Sequence, residues 1–227
     1  MICLLMINTS TVKPILMKSD VCIVASGSCL KNSDLGEQID DFENVIRFGG
    51  SEVHLETYKE DAGTKTTELI HNSNYRALLN FKQRLIDYAE LYSEIPNLCI
   101  TYKGLNPKRR LLVEDIITEY KKINNGTIRY LKTTHKYLNL LKRNKCTLLQ
   151  KKASYTSGLC LILDSLRTYK NVYICGFDAL RVEMKNNYFT HFYGGNAKFH
   201  RYGHDVNSEA NIIKELIEKT GRLFELK

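Results

Sequence analysis

Two short segments near the C-terminal end concentrate the residue types that move protons: His191-Phe-Tyr-Gly194 and His204-Asp-Val-Asn-Ser-Glu209. A lone histidine is usually structural or exposed, but an imidazole titrates close to neutral pH, so one at a loop-to-helix junction is also the natural general base. Two other segments would open backbone N–H groups to a ligand. Val24-Ala-Ser-Gly-Ser28 ends an apolar run in small residues, which lets a phosphate or nucleoside approach the main chain; a plain tight turn reads the same way. Tyr155-Thr-Ser-Gly158 opens a second apolar run, where hydroxyls cap a helix and its N-terminus accepts a carboxylate or phosphate; capping alone would also explain it.

Metal and disulfide chemistry are disfavoured. The seven cysteines form an odd set with no CxxC and no histidine at ligand spacing, and several sit inside apolar runs as buried free thiols do, which points to a reducing compartment. The formal net charge is +8, but the longest basic clusters, Lys108-Arg109-Arg110 and Lys142-Arg143-Asn144-Lys145, are short and read as solvated helix ends, so no nucleic-acid partner is expected. No run of about 18 apolar residues predicts a transmembrane helix, and Met1 to Met17 lacks the layout of a signal peptide. A soluble, cytoplasmic protein is expected.

The elements that must position these residues alternate. Apolar runs bounded by turn residues predict strands at Val21–Ala25, Asn44–Phe48, Thr66–Ile70, Asn97–Tyr102, Thr127–Leu131, Val172–Gly176 and Arg222–Leu226. Between them, helical spacing predicts helices over Asp34–Phe42, Tyr75–Leu91, Leu111–Ile123, His135–Leu141 and Gly158–Tyr169, and a last one carrying Val206, Ala210, Ile213 and Ile217. This order predicts an α/β fold: a single Rossmann-like domain over residues 1–227, its mostly parallel sheet covered by helices on both faces. The loops after Ala25, Phe48 and Gly176 would then share one rim, where ligands of such sheets bind. Residues 1–19 read as an N-terminal extension. The irregular, glycine-rich stretch 178–203 is too long for an ordinary connection and reads as a mobile lid or as a partly disordered segment.

The order and spacing of these segments resemble the four motifs of the eukaryotic-type sialyltransferase family (glycosyltransferase family 29). The long motif corresponds to Val21 through about Thr67, including Val45-Ile-Arg-Phe48 and Asp61-Ala-Gly-Thr-Lys-Thr-Thr67. The short motif corresponds to Tyr155–Phe177, the third motif to His191–Gly194, and the very short His-x4-Glu motif to His204–Glu209. The resemblance implies a variant of the GT-A-like fold and an inverting transfer of sialic acid, or a related keto-sugar acid, from a CMP-linked donor to a glycan hydroxyl. No metal or other cofactor is expected, and no Asp-x-Asp occurs.

Residue by residue, the resemblance makes His204 the general base and His191 a support for the donor phosphate. It assigns donor binding to Ala25, Ser26, Gly27, Ser28, Phe48, Gly49, Tyr155, Thr156, Ser157, Gly158, Gly176 and Phe177, with Glu209 and Asp61 supporting. The acceptor would be a glycoprotein, glycolipid or polysaccharide. Secretory members carry a disulfide whose two cysteines are replaced here by Val21 and Tyr169, as a cytosolic bacterial or viral enzyme would show. Asparagines common in the family's long motif are here Ser26 and Gly49, its usual proline before the Ser/Thr pair is Tyr155, and the fourth residue of its third motif is Gly194. A catalytically silent nucleotide- or glycan-binding module of the same fold is the alternative.

Overall fold

A computed structural model describes residues 17–102, 106–132, 137–148, 155–180, 188–193, 196–198 and 206–227. Its centre is a seven-stranded sheet in which every pairing is parallel. The strands are β1 (Val21–Val24), β2 (Asn44–Phe48), β3 (Glu68–His71), β4 (Asn97–Tyr102), β5 (Thr127–Lys132), β6 (Val172–Cys175) and β9 (Leu223–Glu225), in the order β5-β4-β3-β2-β1-β6-β9. Each predicted strand is present, shifted by at most two residues at an end. Buried on both faces, β1 carries no polar residue at all, the pattern of an interior parallel strand.

Helices cover both faces. Leu138–Arg143 (α6), Ser157–Thr168 (α7) and Val206–Thr220 (α8) pack over Val21, Ile23, Ile46 and Ile174. On the opposite face, Gly36–Asp40 (α1) and Lys59–Ala62 (α2) enclose Cys22, Val24, Val45 and Cys175. Beside them Tyr75–Asp87 (α3), Ala89–Ser93 (α4) and Pro107–Ile123 (α5) cover Leu69, Leu98 and Ile100.

Several boundaries differ from the sequence reading for identifiable reasons. The expected helix Tyr75–Leu91 is broken at Tyr88, whose φ of −129° and ψ of 40° leave the helical region. The helix expected from Leu111 starts four residues earlier, because the Asn106 side chain accepts a hydrogen bond from the Arg109 N–H and Pro107 fills the first turn. The sequence reading missed the 3-10 turns of Glu52–Tyr58 that lead into α2. The stretch expected to be irregular holds a 3-10 turn at Asp178–Leu180 and an antiparallel pair, β7 (Tyr188–Thr190) with β8 (Asn196–Lys198). Residues 191–193 of this stretch are described as well, whereas 181–187, 194–195 and 199–203, and those before Met17, lie outside the described residues. Cys22, Cys99 and Cys146 are buried free thiols, as expected, and Cys160 and Cys175 are buried too.

Candidate active site

Strand order turns at β1, with β2 on one side and β6 on the other, and a doubly wound sheet opens a crevice at the carboxyl ends of such a pair. A cavity of about 340 Å3 lies there. The turn after β1 (Ala25, Ser26, Gly27), the residues after β2 (Phe48, Gly49) and those after β6 (Gly176, Phe177, Asp178) form its floor. Thr156, Ser157 and Gly158 at the start of α7, Glu209 on α8, and His191 complete the wall. Twelve of the sixteen residues singled out from the sequence therefore converge on one cleft.

Close backbone approach explains the glycines. The Gly27 N–H donates to the Gly176 carbonyl at 2.8 Å, and a Cβ on Gly27 would lie 2.4 Å from that oxygen and from Asp178 Oδ1. Gly176 itself has φ of +73°, the left-handed region that glycine adopts without strain. Asp178 then clamps the two turns: its carboxylate accepts from the Ser28 N–H (2.9 Å), the Ser28 hydroxyl (3.1 Å) and the Cys29 N–H (2.8 Å). Ser28, expected to bind donor, faces Asp178 and does not line the cleft.

At the start of α7, Thr156 is the N-cap, its hydroxyl oxygen accepting from the Leu159 N–H at 3.2 Å. Glu209 is buried and ties α8 to this cap, accepting from the Thr156 N–H at 2.6 Å and from the Thr156 hydroxyl. The first N–H groups of a helix have no intrahelical partner, so the α7 end presents donors and a positive dipole end to the cleft. A side chain at Gly158 would crowd Phe177, 3.1 Å from its Cε1. Phe177 meets Phe48 edge-to-face, giving the cleft apolar walls. Tyr155, expected among the donor-binding residues, is instead buried in the core beside α7.

His191 bridges the first turn: its backbone pairs with Gly27, and the Phe192 N–H donates to the Ser26 carbonyl at 3.1 Å. Its ring stacks on Tyr193, with centroids 4.8 Å apart, and Tyr193 stacks in turn on His54 at 4.7 Å. Burial pushes the His191 pKa down, while a backbone hydrogen bond with Ser26 and the charge of Asp178 pull it up. His204 and Gly194 lie outside the described residues.

Asp61 does not reach the cleft. It accepts from the N–H groups of Asn32 (2.8 Å), Ser33 (2.8 Å) and Asp34 (3.1 Å), holding two residues, Asn32 and Asp34, at positive φ. Asp40 does the same for Thr64 and Lys65, and Gly63, at φ +66°, has no room for a Cβ against it. The Asp-x-Gly-x-Lys segment is thus a scaffold that fixes the loops behind the cleft.

Asn72, just past β3, and Ala179, Leu159, Ala210 and Ile213 also line the cavity, and the sequence reading missed them. Asn72 was legible as a polar residue following a buried strand on the same rim. Gly49 is explained by its neighbour: a Cβ there would lie 1.9 Å from His71 Nε2, so the imidazole occupies the space a side chain would need. His71 is itself buried, stacked on Phe81 with centroids 3.8 Å apart and 3.2 Å from Arg84 Nη2. An arginine can only donate, so Nε2 is the acceptor and the ring proton sits on Nδ1. Arg84 lies 3.2 Å from the buried Glu52, which also accepts from the Tyr92 hydroxyl at 2.6 Å.

Comparison with known proteins agrees with this architecture. The family model described as glycosyltransferase family 29 (sialyltransferase) matches residues 17–221. An alpha-N-acetylgalactosaminide alpha-2,6-sialyltransferase 1 of Gallus gallus is 23% identical over 222 residues, covering 86% of this chain and 38% of that protein. An alpha-N-acetylneuraminide alpha-2,8-sialyltransferase of Xenopus tropicalis is 29% identical over 185 residues, 77% of this chain and 51% of that one. A beta-galactoside alpha-2,6-sialyltransferase 1 of Mus musculus is 43% identical over 51 residues, 22% of this chain and 12% of its own length. The chain therefore spans about half or less of these relatives. The crystal structure of a mammalian sialyltransferase in complex with Gal-beta-1-3GalNAc-ortho-nitrophenol superposes with a TM-score of 0.58 at 17% identity, covering 92% of this chain and 69% of that one. With a match running from the edge of the first strand through the last helix, over a cleft to which all four sequence motifs contribute residues, this chain belongs to glycosyltransferase family 29, the sialyltransferases.

Proposed function

We propose that the chain is a metal-independent, inverting sialyltransferase that moves sialic acid, or a related keto-sugar acid, from a CMP-linked donor to a glycan hydroxyl. The observation that carries this reading is the cleft at the β1/β6 turn, where a glycine-lined floor, the N-terminus of α7 and His191 face one another. A nucleotide fits these elements: apolar walls from Phe48 and Phe177 for the base and ribose, helix N–H donors for the anionic groups. Asn72 offers the amide that position 49 lacks.

In the proposed reaction the acceptor oxygen attacks the anomeric carbon while the bond from that carbon to the phosphate oxygen breaks. The acceptor proton passes to His204, and CMP departs with the bonding electron pair. His191 and the α7 N–H groups would stabilise the charge growing on the leaving phosphate. His191, kept neutral by burial in the free protein, would take up a proton beside that phosphate. Glu209 would hold α8 against the α7 cap.

The test is transfer from CMP-sialic acid to a glycan panel, alongside CMP binding. His204→Ala should lower the rate about 10²–10⁴-fold with little change in CMP affinity, and His191→Ala should damage both. An unchanged rate for His204→Ala would reject the base assignment. One observation favours the alternative of a silent binding module, the loss of any side chain at Gly49 to the ring of His71. Tight CMP binding with neither transfer nor release of CMP from the donor would decide for that alternative.

A further inference from the structure

Two strand-to-helix units hold nearly all of the chain's excess positive charge. Leu69 to Ile86 and Ile95 to Val113 contain no Asp or Glu, yet together they carry seven Lys and Arg, against a formal net charge of +8 for the whole chain. The first stretch spans most of β3 and α3, the second β4 and the start of α5. Because β3 pairs in parallel with β4, the two helices start on the same rim, the one onto which the cleft opens.

The ion pair of Lys82 with Asp115, at 2.9 Å, marks the seam along which α3 and α5 pack against each other. One helical turn toward their N-termini from that pair, Leu79 and Leu111 flank the same seam. They are nevertheless 43% and 64% exposed, and Tyr75, a further turn along α3, is 46% exposed. Arg76, Lys108 and Arg110, on the first turns of the two helices, are exposed beside them. The acids of the helices, Asp87, Glu114, Asp115 and Glu119, all come later in each helix than this apolar trio.

Leucines left in water among unopposed cations match one class of partner. Lys and Arg at a bilayer surface pair with anionic headgroups, while leucine and tyrosine side chains enter the boundary with the acyl chains. A soluble polyanion would engage the cations and gain nothing from Leu79 or Leu111. We propose that the α3–α5 rim docks on an anionic lipid bilayer, beside the mouth of the cleft. The inference rests on charge and exposure alone and does not require the reaction proposed above.

The test is co-sedimentation of the 227-residue chain with vesicles of phosphatidylcholine, with and without roughly one third phosphatidylserine. Binding is expected only with the anionic lipid. Lys108→Gln with Arg110→Gln should lower the partition coefficient about 25-fold, taking about fivefold for each charge near the surface. Leu79→Asp with Leu111→Asp should lower it at least about tenfold at an unchanged unfolding midpoint, and Leu79→Ser with Leu111→Ser should act in the same direction. No binding to the anionic vesicles would overturn the proposal. So would vesicle binding indifferent to both leucine pairs, or a preference for soluble heparin that ignores them, since either marks a simple polyanion site.

Discussion

Replacing Gly49 by alanine tests how the cleft floor is built. The new Cβ would fall 1.9 Å from His71 Nε2, 2.4 Å from Cδ2 and 2.5 Å from Cε1, so the ring must move by well over an ångström. It has nowhere to go: Phe81 lies against its face and Arg84 against Nε2. Moving it forfeits a hydrogen bond from a charged donor, about 1.5–3 kcal/mol, and an aromatic stack, about 0.5–1.5 kcal/mol, for a total near 3 kcal/mol. His71→Ala should cost a similar amount or more, because the same contacts vanish and a cavity remains. In the double variant the methyl at position 49 meets no ring, so it should add almost nothing to the cost of His71→Ala. Urea unfolding of the four proteins would then show non-additivity of about 2–3 kcal/mol. Gly49→Ala within about 0.5 kcal/mol of wild type, or two costs that simply add, would refute the account.

Other consequences follow from the same contacts. Glu209→Ala leaves the Thr156 N–H and hydroxyl without their acceptor and should destabilise the chain by about 2–3 kcal/mol in urea unfolding, with loss of CMP binding in parallel. Burial, reinforced by the charge of Arg84, pushes the His71 pKa down to about 3. The unfolded chain therefore binds a proton below about pH 6.5 that the native state refuses; stability present at neutral pH should fall as pH drops from about 6.5 to about 3, by up to roughly 5 kcal/mol, and His71→Gln should remove that part of the slope. Asp178→Ala removes a negative charge that raises the His191 pKa, so the imidazole should titrate lower still by NMR, and the turn at Ser28 and Cys29 should lose amide-exchange protection.

Much of the fold was legible because a parallel sheet buried on both faces writes its strands as short apolar runs, and all seven are found where those runs lie. Elements whose cause is capping or local dihedral choice were less legible. The start of α5 at Pro107 and the break at Tyr88 depend on single backbone conformations that no apolar period records. Gly27, Gly158 and Gly176 stood out as small residues after strands or at a helix start, and the structure gives each a neighbour that a side chain would strike.

The sequence by itself determined the strand-and-helix alternation, the shared rim of the turns after β1, β2 and β6, and the residue types at the cleft, since these follow from hydrophobic period and motif spacing. Only the tertiary structure decided what each polar group does there. Asp61, Ser28 and Tyr155 are drawn into loop clamps and core, whereas Asp178 and Asn72 come to the cleft. The physical reason is that a carboxylate's role is set by which N–H groups lie within about 3 Å of it, and such a donor can be as remote from it in sequence as Ser28 is from Asp178.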